Sequence, residues 1–280
     1  MEMLGIVLLA LAGACGICLG TGAFCNLGVL WKLPLLTLGL TFGLLILAFL
    51  FLWFSCALVN MKKPQEKDSA FYRWLIYRYC GLAMTILQVR FQASGFDQIP
   101  NKGRFLLVCN HLSLMDPLIL HHFFRKSQLA FISKKENYSM FIINKLMYKT
   151  LCMSLDREDD RAALHTIKRA IYLLQEDMAS VAVFPEGYCS VDGKLHHFRN
   201  GVFKIAQRTG VPIVVCSLQN TKPIFRNALH LRRTVVPIRL VRVIQPEEYA
   251  GMMTAQIAAL VYDSMSASLP KELVAQEETQ

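Results

Sequence analysis

Hydrophobic and polar positions divide the chain into two unlike parts. Residues 4 to 31 carry no ionisable side chain apart from cysteines, and residues 35 to 59 form a second such run. Each exceeds the ~20 residues that cross ~30 Å of hydrocarbon as a helix, so the pattern predicts two transmembrane helices. Lys32 and Pro34 lie between the runs. That predicts a very short connection and a hairpin whose outer ends emerge on one side. Ala12, Gly16 and Gly20, four residues apart, are small enough to let two helix backbones approach closely in lipid.

From residue 68 onward the pattern breaks into short segments. Asp68 to Met84 reads as an amphipathic helix, with Tyr72, Trp74 and Tyr77 suited to a membrane interface. Leu87 to Ala93 alternates strictly and predicts a half-buried strand. Phe105 to Cys109 is apolar throughout and runs directly into Asn110-His111, as a strand buried on both faces would. Further strands are expected over 129–132, 150–155, 180–184, 212–218 and 235–244. The last contains Pro237, which argues for an edge position. Helices are expected over 140–148, 160–178, 201–208 and 247–269. The alternation predicts an α/β fold, a largely parallel sheet flanked by helices, preceded by an N-terminal two-helix transmembrane hairpin. The boundaries read as 1–62 for a membrane anchor and 63–280 for the globular domain.

Composition sharpens this division. Apolar residues make up 54% and charged residues 18% of 280, with a mean hydropathy of +0.37. This excludes disorder, collagen and a disulfide miniprotein as descriptions of the whole. Residues 1 to 60 hold one acid, Glu2, and one base, Lys32, so the net charge of +10 belongs to the remainder. Lys62, Lys63, Lys67, Arg73 and Arg78 follow the second apolar run. The positive-inside rule therefore places the globular domain on the cytoplasmic face of an integral membrane protein. Glu2 and the length of the first run argue against a cleaved signal peptide. The positive charge suits anionic membrane lipid and phosphorylated ligands. No nucleic-acid-binding motif accompanies it. Nine cysteines, an odd number without a paired framework, suit a reducing compartment. Cys15 and Cys18 form a C-x-x-C, but inside an apolar run that offers a metal thiolate no polar second shell, and no H-E-x-x-H occurs, so no metal is expected.

Three segments carry chemical interest. Asn110 to Asp116 follows a strand and opens a helix, either with Ser113 and Asp116 as a capping box or with Asp116 capping and Pro117 at the first helical position. His111 lies where its ring can fold back to the Asp116 carboxylate. That carboxylate would fix the tautomer, and the free nitrogen could take a proton from an alcohol. No G-x-S-x-G supplies a nucleophile, so the alcohol would be the substrate's own. Taken alone, the octet reads as a capping aspartate beside an incidental histidine. Phe184-Pro185-Glu186-Gly187 ends another strand, where open α/β sheets place their sites. Leu155-Asp156-Arg157 ends a third, and the Arg157 guanidinium suits a phosphate. Alone, each reads as a turn or a surface ion pair. His121-His122 reads as a helix end rather than a metal site, and Cys109 as a buried strand residue.

Together the order and strand-end context resemble the PlsC-like glycerolipid acyltransferase family, typified by 1-acylglycerol-3-phosphate acyltransferase. The residues that carry the resemblance are Asn110 to Asp116, Leu155 to Arg157, Phe184 to Gly187 and Val211-Pro212-Ile213-Val214. Ser133 to Glu136 is similar to the family's K-x-E segment, and Phe198 to Gly201 to its F-K-x-G. The resemblance covers about residues 100 to 220. It implies that His111 is general base on an acceptor hydroxyl, held by Asp116. It implies that Lys134, Arg157, Glu186 and Gly187 form the acceptor pocket. The acyl donor would be acyl-CoA or acyl carrier protein, with no other cofactor. The acceptor would be a lysoglycerolipid, 1-acylglycerol-3-phosphate giving phosphatidic acid. One departure stands out. The family continues F-P-E-G-T-R-S, and this chain reads Tyr188-Cys189-Ser190 after Gly187. The missing arginine leaves open a lysolipid with another head group. A non-catalytic basic membrane adaptor is the reading from a different class.

Overall fold

The computed structural model describes residues 2–22, 29–156 and 159–275. The chain divides into two compact units, Met1–Asn60 and Met61–Gln280. The first consists of helices α1 (Glu2–Gly20) and α2 (Val29–Ala57), which pack on each other. Both are long and apolar enough to cross a membrane, and most of their surface is exposed. Lys32 and Pro34 do not form the connection that the sequence predicts; they lie inside α2. The break comes earlier, where Gly22 adopts φ 65° after Thr21 and its N–H reaches back to the Leu19 carbonyl. A left-handed glycine closes a helix end, whereas a proline early in a long helix loses one hydrogen bond and crowds the carbonyl of residue i−4, which the rest of the helix can absorb. The packing face also differs from expectation. α1 buries Ala10, Ala14 and Cys18, while Ala12, Gly16 and Gly20 are exposed.

The second unit opens with α3 (Ala70–Ile86) and β1 (Val89–Ser94). It continues through β2 (Leu106–Cys109), α4 (Asp116–Phe123), β3 (Ala130–Lys134), α5 (Phe141–Lys149) and β4 (Met153–Leu155). Then come α6 (Asp160–Gln175), β5 (Val181–Val183), α7 (Lys204–Thr209), β6 (Ile213–Leu218), α8 (Ile224–Leu229) and β7 (Thr234–Ile244). The chain then forms α9 (Pro246–Tyr249) and α10 (Thr254–Ser266). The single closing helix expected over 247–269 is therefore two helices, separated at Gly251.

The seven strands form one sheet in the order β1-β7-β6-β2-β5-β3-β4. The five from β6 to β4 are parallel, β7 runs antiparallel to β6, and β1 runs parallel to β7. The strand with Pro237 thus lies inside the sheet, not at an edge. Its proline is tolerated because the Pro237 carbonyl accepts from Gln219 N, one residue beyond the end of β6. The absent N–H falls where that ladder has already ended.

Period-two alternation in the buried strands divides the core between the two faces. Leu106 and Val108 of β2 join α6, α7 and α10 on one face. Leu107 and Cys109 join α3, α4 and β7 on the other. Arg73 on α3 is buried as well. It pairs with Asp68 at 2.9 Å and donates to the carbonyls of Leu129 and Thr150, tying α3 to the segments that open β3 and β4. It is therefore a structural cation rather than a membrane-facing one. Tyr77 likewise turns inward, edge-on to His121 at 6.3 Å between centroids, and burial raises its phenol pKa. Trp74 alone of the three expected interfacial aromatics is exposed.

Candidate active site

Parallel strands that share a direction bring their carboxyl ends to one edge. Asn110 and His111 follow β2, Lys134 ends β3, and Phe184 to Gly187 follow β5. Asn110 holds the first of these ends to β6. Its amide donates to the Leu218 carbonyl at 2.9 Å and accepts from Leu218 N at 2.8 Å. The side chain thus continues the β2–β6 ladder one step beyond the strands and fixes the residue that follows.

That residue is His111. Its Nδ1 lies 2.9 Å from Asp116 Oδ2. Asp116 is fully buried and accepts from Leu112 N at 2.6 Å and Ser113 N at 2.7 Å through the same oxygen. Its other oxygen accepts from the Thr221 hydroxyl at 2.6 Å and lies 3.1 Å from Ser113 Oγ. A buried carboxylate is stable only when its lone pairs are filled, and these groups fill them. An ionised Asp116 accepts only, so Nδ1 carries the proton and Nε2 is the basic nitrogen. The ring lies against Phe184, centroids 4.2 Å apart and 18° from parallel, which fixes its plane. The capping expected at the start of α4 does not form. Asp116 is the first residue of the helix and turns back to the preceding loop, while Ser113 Oγ accepts from Met115 N.

Glu186 is nearly fully buried and braces this loop. One carboxylate oxygen accepts from His111 N at 2.8 Å, the other from His196 N at 3.1 Å. Burial pushes its pKa up to about 7, against the opposing pull of the two N–H bonds. It holds two backbone segments together. Gly187 closes the same turn at φ 83°, its N–H donating to the Phe184 carbonyl. A side chain there would be strained, so Gly187 serves through its backbone. Pro185 O accepts from Arg199 N, and Ser190 N donates to His111 O, which stitches the following loop to the same site.

Lys134 is exposed at the end of β3. Lys134 and Lys222 both stand close enough to act electrostatically on the Cys189 thiol, opposing the carboxylates of Asp116 and Glu186. Burial is the larger influence on that thiol and raises its pKa. Lys222 follows the Asp116 donor Thr221 and contacts the Val191 carbonyl. Arg157 lies outside the described residues. His121 is buried away from the dyad, with Nδ1 unpartnered among the described residues and its pKa pushed down to about 3, mainly by burial. Cys109 is a buried strand thiol whose pKa burial raises well above normal. Sequence reasoning missed Thr221 and Lys222 as partners of the site. The available signal was a hydroxyl and a lysine three and four residues past a buried strand.

A family model described as Acyltransferase matches residues 90–219. The chain is 32% identical over 183 residues to a 1-acyl-sn-glycerol-3-phosphate acyltransferase of Chlamydomonas reinhardtii, covering 64% of this chain and 53% of that protein. It is 31% identical over 143 residues to a probable 1-acyl-sn-glycerol-3-phosphate acyltransferase of Mycoplasma pneumoniae, covering 50% and 53%. The chain thus spans about half the length of these curated relatives. The crystal structure of the 1-acyl-sn-glycerophosphate acyltransferase PlsC from Thermotoga maritima shares the fold. Its TM-score is 0.60 at 22% identity, over 81% of this chain and 89% of that one. The motifs assembled on one sheet edge fall within the residues that the Acyltransferase model matches, and the chain shares the fold of the Thermotoga maritima protein.

Proposed function

We propose that this protein is a membrane-bound O-acyltransferase that moves a fatty acyl group from an acyl thioester to the free hydroxyl of a lysoglycerolipid. The observation that carries the reading is the His111–Asp116 pair, a half-open imidazole on a fully buried, fully hydrogen-bonded carboxylate. His111 Nε2 takes the proton from the acceptor hydroxyl, and Asp116 stabilises the imidazolium that forms. The acceptor oxygen attacks the thioester carbonyl, and the new ester forms as the carbon–sulfur bond breaks. The departing thiolate takes the proton back from His111. No acyl-enzyme is needed. The donor is acyl-CoA or acyl carrier protein.

The named relatives favour 1-acylglycerol-3-phosphate as acceptor. Lys134 and Lys222, which both act electrostatically on Cys189, supply positive charge where the family's arginine is missing; the family resemblance assigns Arg157 to the same acceptor pocket. Cys189 itself favours a second reading, a lysolipid whose head group is less charged. Helices α1 and α2 support membrane attachment. By the positive-inside rule, the lysines after α2 favour a catalytic domain on the cytoplasmic side.

Purified protein in detergent, given radiolabelled acyl-CoA and a panel of acceptors, tests this. Glycerol 3-phosphate, lysophosphatidic acid and lysolipids with choline, ethanolamine, glycerol or sugar heads make up the panel. Lysophosphatidic acid is expected to be best. Preference for another lysolipid would establish the second reading. Transfer that survives intact in His111→Ala would overturn the mechanism, and no transfer from acyl-CoA, nor from acyl carrier protein offered in its place, would leave the adaptor reading.

A further inference from the structure

Loops at the carboxyl edge of the parallel strands expose large apolar side chains beside basic ones. Leu114, in the turn that holds Asp116, is exposed. Helix α8 opens three residues after Thr221, buries Ile224, and turns Phe225 and Leu229 to solvent on one face. Leu229 is 84% exposed. The helix end is closed by Arg232 N to Asn227 O at 2.8 Å and Leu231 N to Ala228 O at 3.0 Å. This closure puts Leu231 in the left-handed region at φ 54°. Glycine is the residue that such a closure favours. Here a leucine adopts the strained conformation and is 81% exposed as well. Neither backbone preference nor the domain core explains a leucine at this point.

The surrounding charge is of one sign. Between Asp192 and Glu247 there is no aspartate or glutamate, and there are ten lysines and arginines. Arg226, Arg232 and Arg233, all exposed, alternate with the exposed leucines. The segment leads directly into Thr234, which pairs with Val89 beyond the carboxyl end of β6. We propose that the apolar and cationic face built from Phe225, Leu229 and Leu231 with their flanking arginines docks onto an anionic bilayer surface, and holds the site edge of the sheet against lipid.

An uncovered apolar patch of this kind marks an interaction surface. Leucine and phenylalanine interleaved with arginine is the composition of a segment that lies among lipid head groups. The inference rests on the membrane-bound reading above, and it adds a second point of attachment, independent of α1 and α2.

The full chain, reconstituted in vesicles whose lipids carry bromine high on the acyl chains, tests it. Leu229→Trp and Leu231→Trp each add a reporter to the three native tryptophans. Lys102→Trp, in the turn ahead of β2 at the opposite edge, is the control. An indole ~5–10 Å into the head-group boundary lies within reach of the bromines, so the added emission at 229 and 231 should fall about two-fold. The loss should be greater with phosphatidylglycerol present than in phosphatidylcholine alone, and the control should be unaffected. Quenching no deeper than the control would overturn the proposal. Equal quenching in both vesicle types would overturn its charge component. Blue-shifted, unquenched emission that depends on protein concentration would assign the face to a second copy of the chain. The readout needs no turnover. Failure of the protein to float with vesicles would instead defeat the membrane-bound reading itself.

Discussion

Two histidine–aspartate pairs stand at the site edge of the sheet, with nearly the same ring-to-carboxylate distance and opposite surroundings. His111 Nδ1 lies 2.9 Å from Asp116, and His196 Nε2 lies 2.8 Å from Asp192. The Asp116 side chain is 0% exposed and that of Asp192 is 46% exposed. Asp116 is held by donors from Leu112, Ser113 and Thr221. Asp192 is held by His196 first, then by Lys194 N and Ser190 Oγ, and its pKa is lowered. The pairs differ in what happens when one partner is lost. The Asp116 side chain is shut off from solvent, so its geometry is set by the fold. Around Asp192 solvent replaces either partner at little cost. An imidazole–carboxylate contact becomes a device for moving protons when the carboxylate cannot reorient, and remains a loop latch when it can.

The contrast can be broken most sharply at the buried pair. His111→Ala and Asp116→Asn should each lower kcat for acyl transfer by ~10²–10⁴. The double variant should be little worse than either single one, because the residues act as a unit. Additive losses would show that they do not. Asp116→Asn should also lose ~1–3 kcal/mol in thermal unfolding, since an amide turns a donor toward Leu112 N or Ser113 N.

Glu186 gives the next effect. Its folded pKa of about 7 lies above the ordinary 4.5, so the folded protein holds the proton more tightly than the unfolded chain. The stability this group contributes is full below about pH 4.5 and is lost as pH rises through about 7. Relative to Glu186→Gln, the wild type should lose up to about 3 kcal/mol over that window. Unfolding in detergent at several pH values measures it, and a flat difference would mean that the carboxylate ionises normally.

Lys222→Ala should raise KM for lysophosphatidic acid about ten-fold with kcat preserved, the loss of one charge-assisted contact. KM for a lysolipid with an uncharged head should not move, and an equal change for both would remove Lys222 from head-group recognition. The smallest effect belongs to the exposed pair. Asp192→Asn should cost no more than about 1 kcal/mol and leave kcat within about two-fold. A large loss of turnover there would erase the distinction between the two pairs.

Much of this was legible in the sequence because it depended on residue type and spacing. The alternating strands gave the sheet, and the four residues between His111 and Asp116 predicted a contact that the loop geometry makes. What escaped depended on backbone groups and distant partners. Alone Glu186 reads as part of a turn, and only the family resemblance gives it a part in the pocket, binding the acceptor or ordering the site; the structure adds that it binds the N–H groups of His111 and His196, which no residue code advertises. Thr221 reaches Asp116 across 105 positions, because β6 lies next to β2. Pro237 suggested an edge by a rule that looks at one strand, whereas its tolerance depends on where the neighbouring strand stops. Lys32 and Pro34 suggested the hairpin tip because charge and proline are conspicuous. Gly22 ended the helix with less notice.

The brace at Glu186 has a practical consequence. It grips position 111 by the main-chain amide, which every residue except proline possesses. Removing the imidazole therefore leaves the grip intact, and His111→Ala should be an inert protein with an undisturbed scaffold. On the acyl-transfer reading, such a form would hold lipid and thioester side by side while consuming them far more slowly, so that a crystal or a cryo-microscopy grid could capture both substrates before the bond between them is made.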